Sequence, residues 1–204
     1  METKFYSQVG QDKWVCEYFK YKANGFFLDI GAYDGIELSN TYYLEKNLNW
    51  KGICLEPSPI AFAKLSQQRN CICINKAAYN KNTQLKFFED GLGGRIDDNK
   101  FSYIVDAIRI EDVLKQNNAP KNIDYISLDV EGGEYNVLLG FPFSEYEVIL
   151  WTIEHNLHAK TTNRILKANI QNIMNKNGYK IVRENVGTSP LYPMEDWFIN
   201  EKYL

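Results

Sequence analysis

Short apolar runs alternate with amphipathic segments along most of the chain, as in an α/β protein. The run at 26–30 predicts a buried strand that stops at Gly31, and a helix-compatible segment follows at 37–46. Further strands are predicted at 53–56, 71–75, 83–89, 103–110, 123–129, 147–154, 179–183 and 196–200. Repeated strand-helix-strand units imply a parallel sheet with right-handed crossovers.

The remaining helices are predicted from apolar positions at helical spacing. They lie within 7–22 and at 60–68, 111–116, 133–139 and 162–177. Gly91–Gly93 and Gly94 predict a mobile loop, and residues 184–195 are expected to connect the last two strands.

The turn after the first strand carries acids where a dinucleotide loop carries glycine. Such a loop needs a second glycine two residues after the first, so that backbone approaches the pyrophosphate, and this position is Tyr33. Asp29 and Asp34 flank the turn, and two carboxylates would repel a pyrophosphate in a partly desolvated cleft. A cationic ligand without phosphate suits them better, and S-adenosylmethionine (SAM) is one, with an ammonium, a sulfonium and a ribose diol. A tight turn capped by Asp34 is the structural alternative.

Composition limits the function classes. The 204 residues are 45% hydrophobic and 24% charged, which predicts one globular domain over 1–204, with an N-terminal helical segment 1–22 and a core 23–204. A net charge of -3 argues against a large basic face for nucleic acid. Residues 1–11 lack a signal-type apolar core and no run has transmembrane length, so a soluble, cytoplasmic protein without a membrane span is expected. The four cysteines lack zinc-type spacing and are expected to be free thiols.

Acids also follow two other predicted strands. Glu56 lies roughly twenty residues after the glycine turn, where doubly wound folds place a carboxylate over ribose hydroxyls, although an acid there is more often a solvated cap. Asp129 and Glu131 should face the same crevice, where each would raise the pKa of the other, as suits an acceptor of a hydroxyl proton. Glu134 is interpreted as a first-turn acid that complements a helix dipole.

The only two histidines follow the strand at 147–154. His155 is a candidate general base, or a metal ligand together with Asp129 and Glu131. Because nothing in the spacing fixes a coordination geometry, a divalent metal is not expected. His158 is expected at the surface.

Five motifs in order carry a family resemblance: Ser7 to Asp12 (SQVGQD), Phe27 to Gly35 (FLDIGAYDG), Glu56-Pro57-Ser58, Ile110 to Leu114 (IEDVL) and Ile123 to Gly132 (IDYISLDVEG). Together they resemble the FkbM family of SAM-dependent methyltransferases from about residue 7 to 155. The resemblance implies a three-layer Rossmann-like α/β sandwich. Its seven-stranded, mostly parallel sheet would have the order 3-2-1-4-5-7-6, with an antiparallel last strand. It also implies methyl transfer to an oxygen, often of a sugar or polyketide hydroxyl.

The resemblance assigns roles by position. The SAM loop would comprise Asp29, Gly31, Asp34 and Gly35, with Glu56 on the ribose. The expected cofactor set is completed by Gln11, Tyr33, Ser58 and Ala77, although Gln8 and Gln11 suit helix capping equally well. The catalytic candidates are Asp129 as proton acceptor, with Glu131 or His155 as substitutes.

The acceptor is expected to be a small molecule or glycan. Tyr192, Trp151 and the glycines at 91–94 are candidates to line or cover its pocket. Two other functions remain open at this point: a nicotinamide-dependent oxidoreductase or epimerase, against which the absent second glycine argues, and a non-catalytic Rossmann-like binding domain. The oligomeric state is left open.

Overall fold

The computed structural model describes residues 4–156 and 163–204, which form two β-sheets and six α-helices. The helices are α1 (Gln11–Tyr18), α2 (Tyr42–Leu48), α3 (Pro59–Gln68), α4 (Ile110–Gln116), α5 (Glu134–Leu139) and α6 (Asn163–Lys176). The strands are β1 (Phe26–Ile30), β2 (Lys51–Leu55), β3 (Ile72–Ile74), β4 (Ala77–Tyr79), β5 (Thr83–Phe88), β6 (Arg95–Ile96), β7 (Tyr103–Arg109), β8 (Asn122–Leu128), β9 (Glu147–Glu154), β10 (Tyr179–Gly187) and β11 (Pro193–Asn200). His158 and position 162 of the last predicted helix lie outside the described residues.

The main sheet has seven strands in the order β3-β2-β1-β8-β9-β11-β10. In this sheet β3, β2, β1, β8 and β9 pair in parallel, whereas β11 is antiparallel to both β9 and β10, as expected of the last strand. Numbered along the whole chain, this order differs from the predicted 3-2-1-4-5-7-6. The difference arises because four strands between β3 and β8 belong to another sheet.

That second sheet has the order β4-β7-β5-β6 and was not predicted. Strand β4 pairs in parallel with β7, and β5 pairs antiparallel with both β6 and β7. The sequence predicts only the strands at 83–89 and 103–110. Because β4 and β6 have three and two residues, neither carries enough alternating positions to be recognised from sequence.

Helices cover both faces of the main sheet. One apolar cluster joins Phe27 of β1 to side chains of α1, α2 and α3, and the other joins Leu28 to side chains of α4, α5 and α6. Adjacent strand residues point to opposite faces, so one strand supplies both cores. Trp151 is fully buried in the second cluster, with its ring 5.0 Å from that of Phe141. The prediction that Trp151 lines an acceptor pocket is therefore wrong.

The first crossover helix begins at Tyr42, five residues after its predicted start. The hydroxyl of Ser39 accepts hydrogen bonds from the backbone N–H groups of Thr41 and Tyr42, at 3.3 and 3.1 Å. The buried Arg69 donates to the carbonyl of Gly35 at 3.2 Å and to the hydroxyl of Thr41 at 2.8 Å. Residues 35–41 are thus held as a loop by a side chain distant in sequence.

The last two strands form a longer hairpin than predicted. Strands β10 and β11 together include most of the segment 184–195 that was expected to connect them, and only residues 188–192 join them. The charged positions along β10 are exposed and conceal its strand pattern. This hairpin places Tyr192 at the side of the sheet where β1, β8 and β9 end.

Candidate functional site

A cavity of about 920 Å³ opens at the carboxyl ends of the parallel strands. Gly31, Glu56, Asp129 and Glu154 line it, and each ends or directly follows one of the four neighbouring strands β2, β1, β8 and β9. Ligands of open α/β sheets bind at this edge, where strand order reverses. The volume lies within the roughly 300–1,000 Å³ of small-molecule sites.

Gly31 lets two strand ends meet at the floor of this cavity. Its φ angle is 93°, and a Cβ atom there would lie 1.6 Å from the carbonyl oxygen of Asp129. Any side chain would therefore force β1 and β8 apart, in addition to straining the backbone. Glycine is therefore needed here for two reasons, the positive φ angle and the close contact with Asp129.

Glu56 combines burial with unused acceptor capacity. One carboxylate oxygen accepts from the backbone N–H of Tyr33 at 2.9 Å and the other from that of Ser58 at 2.7 Å. Burial raises the pKa of Glu56 to about 7, although both N–H groups lower it. An ionised carboxylate has about four acceptor positions, so two remain for a ligand with paired hydroxyl donors.

Asp29 lines the cavity, but its carboxylate is bonded behind the loop. It accepts from the hydroxyl of Thr41 at 2.5 Å and lies 4.0 Å from the guanidinium of Arg69. Burial raises its pKa, and Arg69 and Thr41 oppose that rise. The charge of Asp29 thus supports the shape of the loop.

Three other predicted cofactor residues are not brought to the cavity. Asp34 closes the turn instead, since its Oδ1 accepts from the backbone N–H groups of residues 36 and 37, both at 2.9 Å. Gly35 has a φ angle of 86° and packs against Leu65 and Arg69. Ser58 caps α3 by accepting from the N–H of residue 61. Asp34 therefore follows the structural alternative given for it, a capping role.

Tyr33, Gln11 and Ala77 do line the cavity, as the cofactor assignment expects. The backbone of Tyr33 has a φ angle of 47° and binds Glu56, so this residue links the loop to β2. The amide oxygen of Gln11 accepts from the N–H of Val9 at 3.0 Å. Val9 precedes the helix, and the N-cap Gly10 gives α1 no side-chain cap, so Gln11 has the cavity position but not the capping contact.

Asp129, Glu134 and Glu154 form an acidic cluster at the cavity wall, in which Glu134 and Glu154 are buried and Asp129 is half-buried. One carboxylate oxygen from each lies within 4.8 Å of those of the other two. Oε1 of Glu134 accepts from the backbone N–H groups of Val130 and Gly132, both at 3.0 Å. Oε2 of Glu134 and Oε2 of Glu154 are buried and have no hydrogen-bond partner. We refer to these three residues as the carboxylate triad.

The triad disfavours full ionisation. Burial raises the pKa of Asp129 to about 7, although a hydrogen bond with the Glu154 carboxyl opposes the rise. The charges of Glu131 and Glu195 add to the rise. Burial likewise raises the pKa of Glu134 to about 7 and that of Glu154 well above its ordinary value. Asp129 therefore has an affinity for protons near neutral pH, which the sequence predicted from paired acids.

Glu131 and His155, the other catalytic candidates, are placed differently. Glu131 lines the cavity with a φ angle of 57°, and the side-chain amide of Asn156 donates to it at 3.0 Å. His155 is buried, with Nε2 3.3 Å from Oδ1 of Asp196. The structure does not bring the His155 imidazole to the cavity, because the chain after β9 turns it toward β11.

Sequence reasoning left Glu154 and Asn40 out of the site. Glu154 ends β9, directly beside the strand that ends before Asp129, so strand position alone was the signal that could have found it. Asn40 donates from Nδ2 to the hydroxyl of Ser127 at 2.9 Å, while its Oδ1 is buried and has no partner. No sequence signal marks Asn40, because its loop is shaped by Arg69.

The family model described as the methyltransferase FkbM domain matches residues 29–181, about three quarters of the chain. The chain belongs to this family. The match confirms the resemblance seen in the motifs, and the family and fold are those of SAM-dependent methyltransferases. No curated protein sequence matches the chain significantly.

Solved methyltransferase structures share the fold at low sequence identity. A putative O-methyltransferase from Klebsiella pneumoniae is 9% identical, with a TM-score of 0.59 over 97% of this chain and 83% of that one. The METTL16 MTase domain is 10% identical, with a TM-score of 0.54 over 91% and 64%. Fibrillarin from Aeropyrum pernix, solved with natively bound SAM, is 13% identical, with a TM-score of 0.50 over 87% and 66%. Identities this low support the fold alone.

The chain thus spans just under two thirds of the METTL16 and fibrillarin chains it matches. Within the described ranges, no helix has the length and apolar character needed to cross a membrane.

Proposed function

We propose that this FkbM-family chain is a SAM-dependent O-methyltransferase acting on a hydroxyl group of a small molecule or glycan. The observation that carries the proposal is the strand-end cavity, in which Gly31 presses against the carbonyl of Asp129 beside the acceptor groups of Glu56. When bound, SAM supplies a methyl group on a positively charged sulfur.

The residues present fit this cofactor. Glu56 keeps two acceptor positions for a ribose diol after binding Tyr33 and Ser58. Gly31 keeps the ends of β1 and β8 close together at the floor of the cavity, because its missing Cβ leaves room for the carbonyl of Asp129. The acids along the cavity wall, Asp129 and Glu131, favour a cationic ligand over a phosphate-bearing one. Gln11, Tyr33 and Ala77 supply further wall contacts.

Asp129 is the proposed proton acceptor for the acceptor hydroxyl. Its pKa of about 7 matches what general-base catalysis needs near neutral pH. Glu131, positioned by Asn156, lies beside it and can take over that role. Holding the acceptor in line contributes most of the rate, for which effective molarities allow about 7–11 kcal/mol.

The acceptor enters from the side lined by the β10–β11 hairpin. Tyr192, which is 54% exposed, lines that part of the cavity. The glycine segment at 91–94 also lines the cavity, with Gly91 near the hydroxyl of Tyr33. A half-exposed tyrosine ring offers an apolar face and a hydroxyl, the combination that suits sugar rings. This supports a glycan or another polyhydroxylated small molecule as acceptor.

The test is calorimetric titration of the purified chain with SAM, S-adenosylhomocysteine and NAD⁺. We expect saturable binding of the two adenosyl ligands and none of NAD⁺. Binding of NAD⁺ alone would favour an oxidoreductase. A folded chain that binds neither adenosyl ligand would be a non-catalytic binding domain.

A matched glycine pair tests the cavity assignment. Gly31→Ala should weaken SAM binding at least tenfold, since its Cβ would collide with Asp129. Gly10→Ala is the control, because Gly10 has nearly the same φ angle, 91°, but nothing within 4 Å of the added carbon. If the two variants bound SAM with equal affinity, the assignment of SAM to this cavity would be wrong.

A further inference from the structure

The carboxylate triad of Asp129, Glu134 and Glu154 has no cationic partner in the described part of the chain. The ion pairs made there by buried or partly buried lysines and arginines go to other acids, including Glu45, Asp29, Glu184 and Asp196. Three carboxyl groups within 4.8 Å of one another repel strongly when ionised, and burial enhances that repulsion. Residues 4–156 and 163–204 therefore supply no positive charge to offset these acids.

Two oxygen atoms of the triad lack hydrogen bonds altogether. Glu134 is fully buried, and its Oε1 is fixed by the N–H groups of Val130 and Gly132, while Oε2 has no partner. Glu154 is 4% exposed, and its Oε2 also has no partner. A buried carboxylate oxygen without a partner is costly, so native proteins supply one, from protein, water or an ion.

We infer that the carboxylate triad binds one divalent cation of the Mg²⁺ or Mn²⁺ type in the cavity wall. The donors are all carboxylate oxygens, which these hard ions prefer, and neither sulfur nor imidazole takes part. Asp129 and Glu154 line the cavity whereas Glu134 does not. Glu134 would therefore bind the ion from the protein interior, and the opposite side of the ion would be accessible from the cavity.

The role of the ion rests on the proposed function. A divalent cation beside the acceptor hydroxyl would bind its oxygen and make its proton easier to remove. With the ion bound, Asp129 serves as a ligand, so the role of proton acceptor passes to Glu131, a cavity-lining carboxylate two residues away. The acceptor class this favours is a hydroxyl compound able to coordinate a metal.

The test is titration of the intact, chelator-treated chain with Mn²⁺ at pH 8. The concentration of free Mn²⁺ is measured at each point by electron paramagnetic resonance. We expect one bound Mn²⁺ per chain, displaced by excess Mg²⁺. Glu134→Gln removes a ligand charge without altering the cavity lining and should weaken binding at least tenfold. Glu154→Gln should do the same, and gives a second measurement if the first variant folds poorly.

The control is Glu145→Gln, because Glu145 is an exposed acid paired with Lys115 and Lys121 on the surface. Its affinity for Mn²⁺ should equal that of the wild type. Absence of saturable Mn²⁺ binding by the wild type, or unchanged binding by Glu134→Gln, would overturn the cation site. SAM titration of the same samples keeps the two proposals apart. Binding of SAM without binding of Mn²⁺ would contradict only the cation site. Binding of Mn²⁺ without binding of SAM would contradict only the proposed function.

Discussion

Two groups of acids lie on either side of the loop that follows β1, and only one of the two groups contains a cation. Behind the loop, Asp29 and Glu45 surround the guanidinium of Arg69, whose Nε lies 2.8 Å from Oε2 of Glu45. In front of it, the carboxylate triad of Asp129, Glu134 and Glu154 surrounds no positive charge among the residues described.

The pKa values show the consequence. Burial by itself raises the pKa of Glu45, but the N–H of Asn70 and the charge of Arg69 bring it down to about 2. In the triad, burial has no such opposition from a cation, and the pKa of Asp129 rises to about 7. Glu45, beside Arg69, therefore stays ionised, whereas Asp129 can hold a proton near neutral pH. The buried Asp29 keeps a raised pKa, since the charge of Arg69 opposes the effect of burial without cancelling it. A carboxylate satisfied by arginine stabilises the fold, whereas one left without a cation can bind a ligand.

Removing the cation from the first group should have the largest effect. Arg69→Met leaves two buried carboxylates without their partner, so we expect the free energy of unfolding to fall by about 3–5 kcal/mol. Chemical denaturation at pH 7 measures this loss. Arg109→Met is the control, since Arg109 pairs with Asp112 at the surface, where salt bridges contribute little. Equal losses in the two variants would mean that Arg69 is not the central contact of its group.

Glu56 is intermediate between the two groups, with two backbone donors and no cation, and it predicts a pH dependence. Its pKa is raised from about 4.5 to about 7, and hydroxyl donors of a ligand favour the ionised form. Affinity for SAM should therefore be nearly full at pH 8 and fall about tenfold from pH 8 to pH 6, since only about a tenth of a group with this pKa is ionised at pH 6. The measurement is SAM titration at several pH values.

The variant Glu56→Gln separates this effect from every other titrating group, including those of the ligand. It should bind SAM more weakly, and the part of the slope due to Glu56 should vanish. In the wild type, the free energy of unfolding of the ligand-free protein should depend on pH in the opposite sense to the affinity for SAM. The folded state holds the proton of Glu56 between pH 4.5 and 7, so the free energy of unfolding contributed by this group falls as pH rises through that window. An identical SAM slope in wild type and variant would exclude Glu56 from the ribose site.

The sequence predicted the elements whose signals are local. Strands β1 and β9 were found at their observed ends, because each is a continuous apolar run ended by a turn or a polar residue. The start of α2 was wrong because Arg69, distant in sequence, holds residues 35–41 as a loop. The second sheet was missed because β4 and β6 are short and gain their partners only through non-local pairing.

The candidate site shows the same division. Glu56 and Asp129 lie at the cavity as predicted, because strand ends of a parallel sheet meet at one edge. Whether an acid at that edge faces the cavity, caps a turn or pairs with arginine depends on side-chain direction and on distant partners. Glu134 illustrates this, since it does lie in the first turn of α5, yet its contacts are with Val130 and Gly132 and its second oxygen is unpaired.

The smallest effect is expected from Glu134→Gln in the metal-free protein, and its sign is opposite to that of Arg69→Met. The amide oxygen can keep both contacts with Val130 and Gly132, and the new NH₂ group can donate to a neighbouring carboxylate of the triad. We expect the free energy of unfolding at pH 8, with chelator present, to rise by about 1 kcal/mol, because a neutral donor replaces an acid that is crowded by two other carboxyl groups.

The matched variant is Glu45→Gln, in the group formed by Asp29, Glu45 and Arg69. It removes a negative charge that pairs with the buried guanidinium, so it should lower the free energy of unfolding. Adding Mn²⁺ should then stabilise the wild type but not Glu134→Gln, since an ion that binds only the folded state raises its stability. If Glu134→Gln instead destabilises the chain as Glu45→Gln does, with or without Mn²⁺, the triad is structural, and the contrast between the two acid groups is one of packing alone.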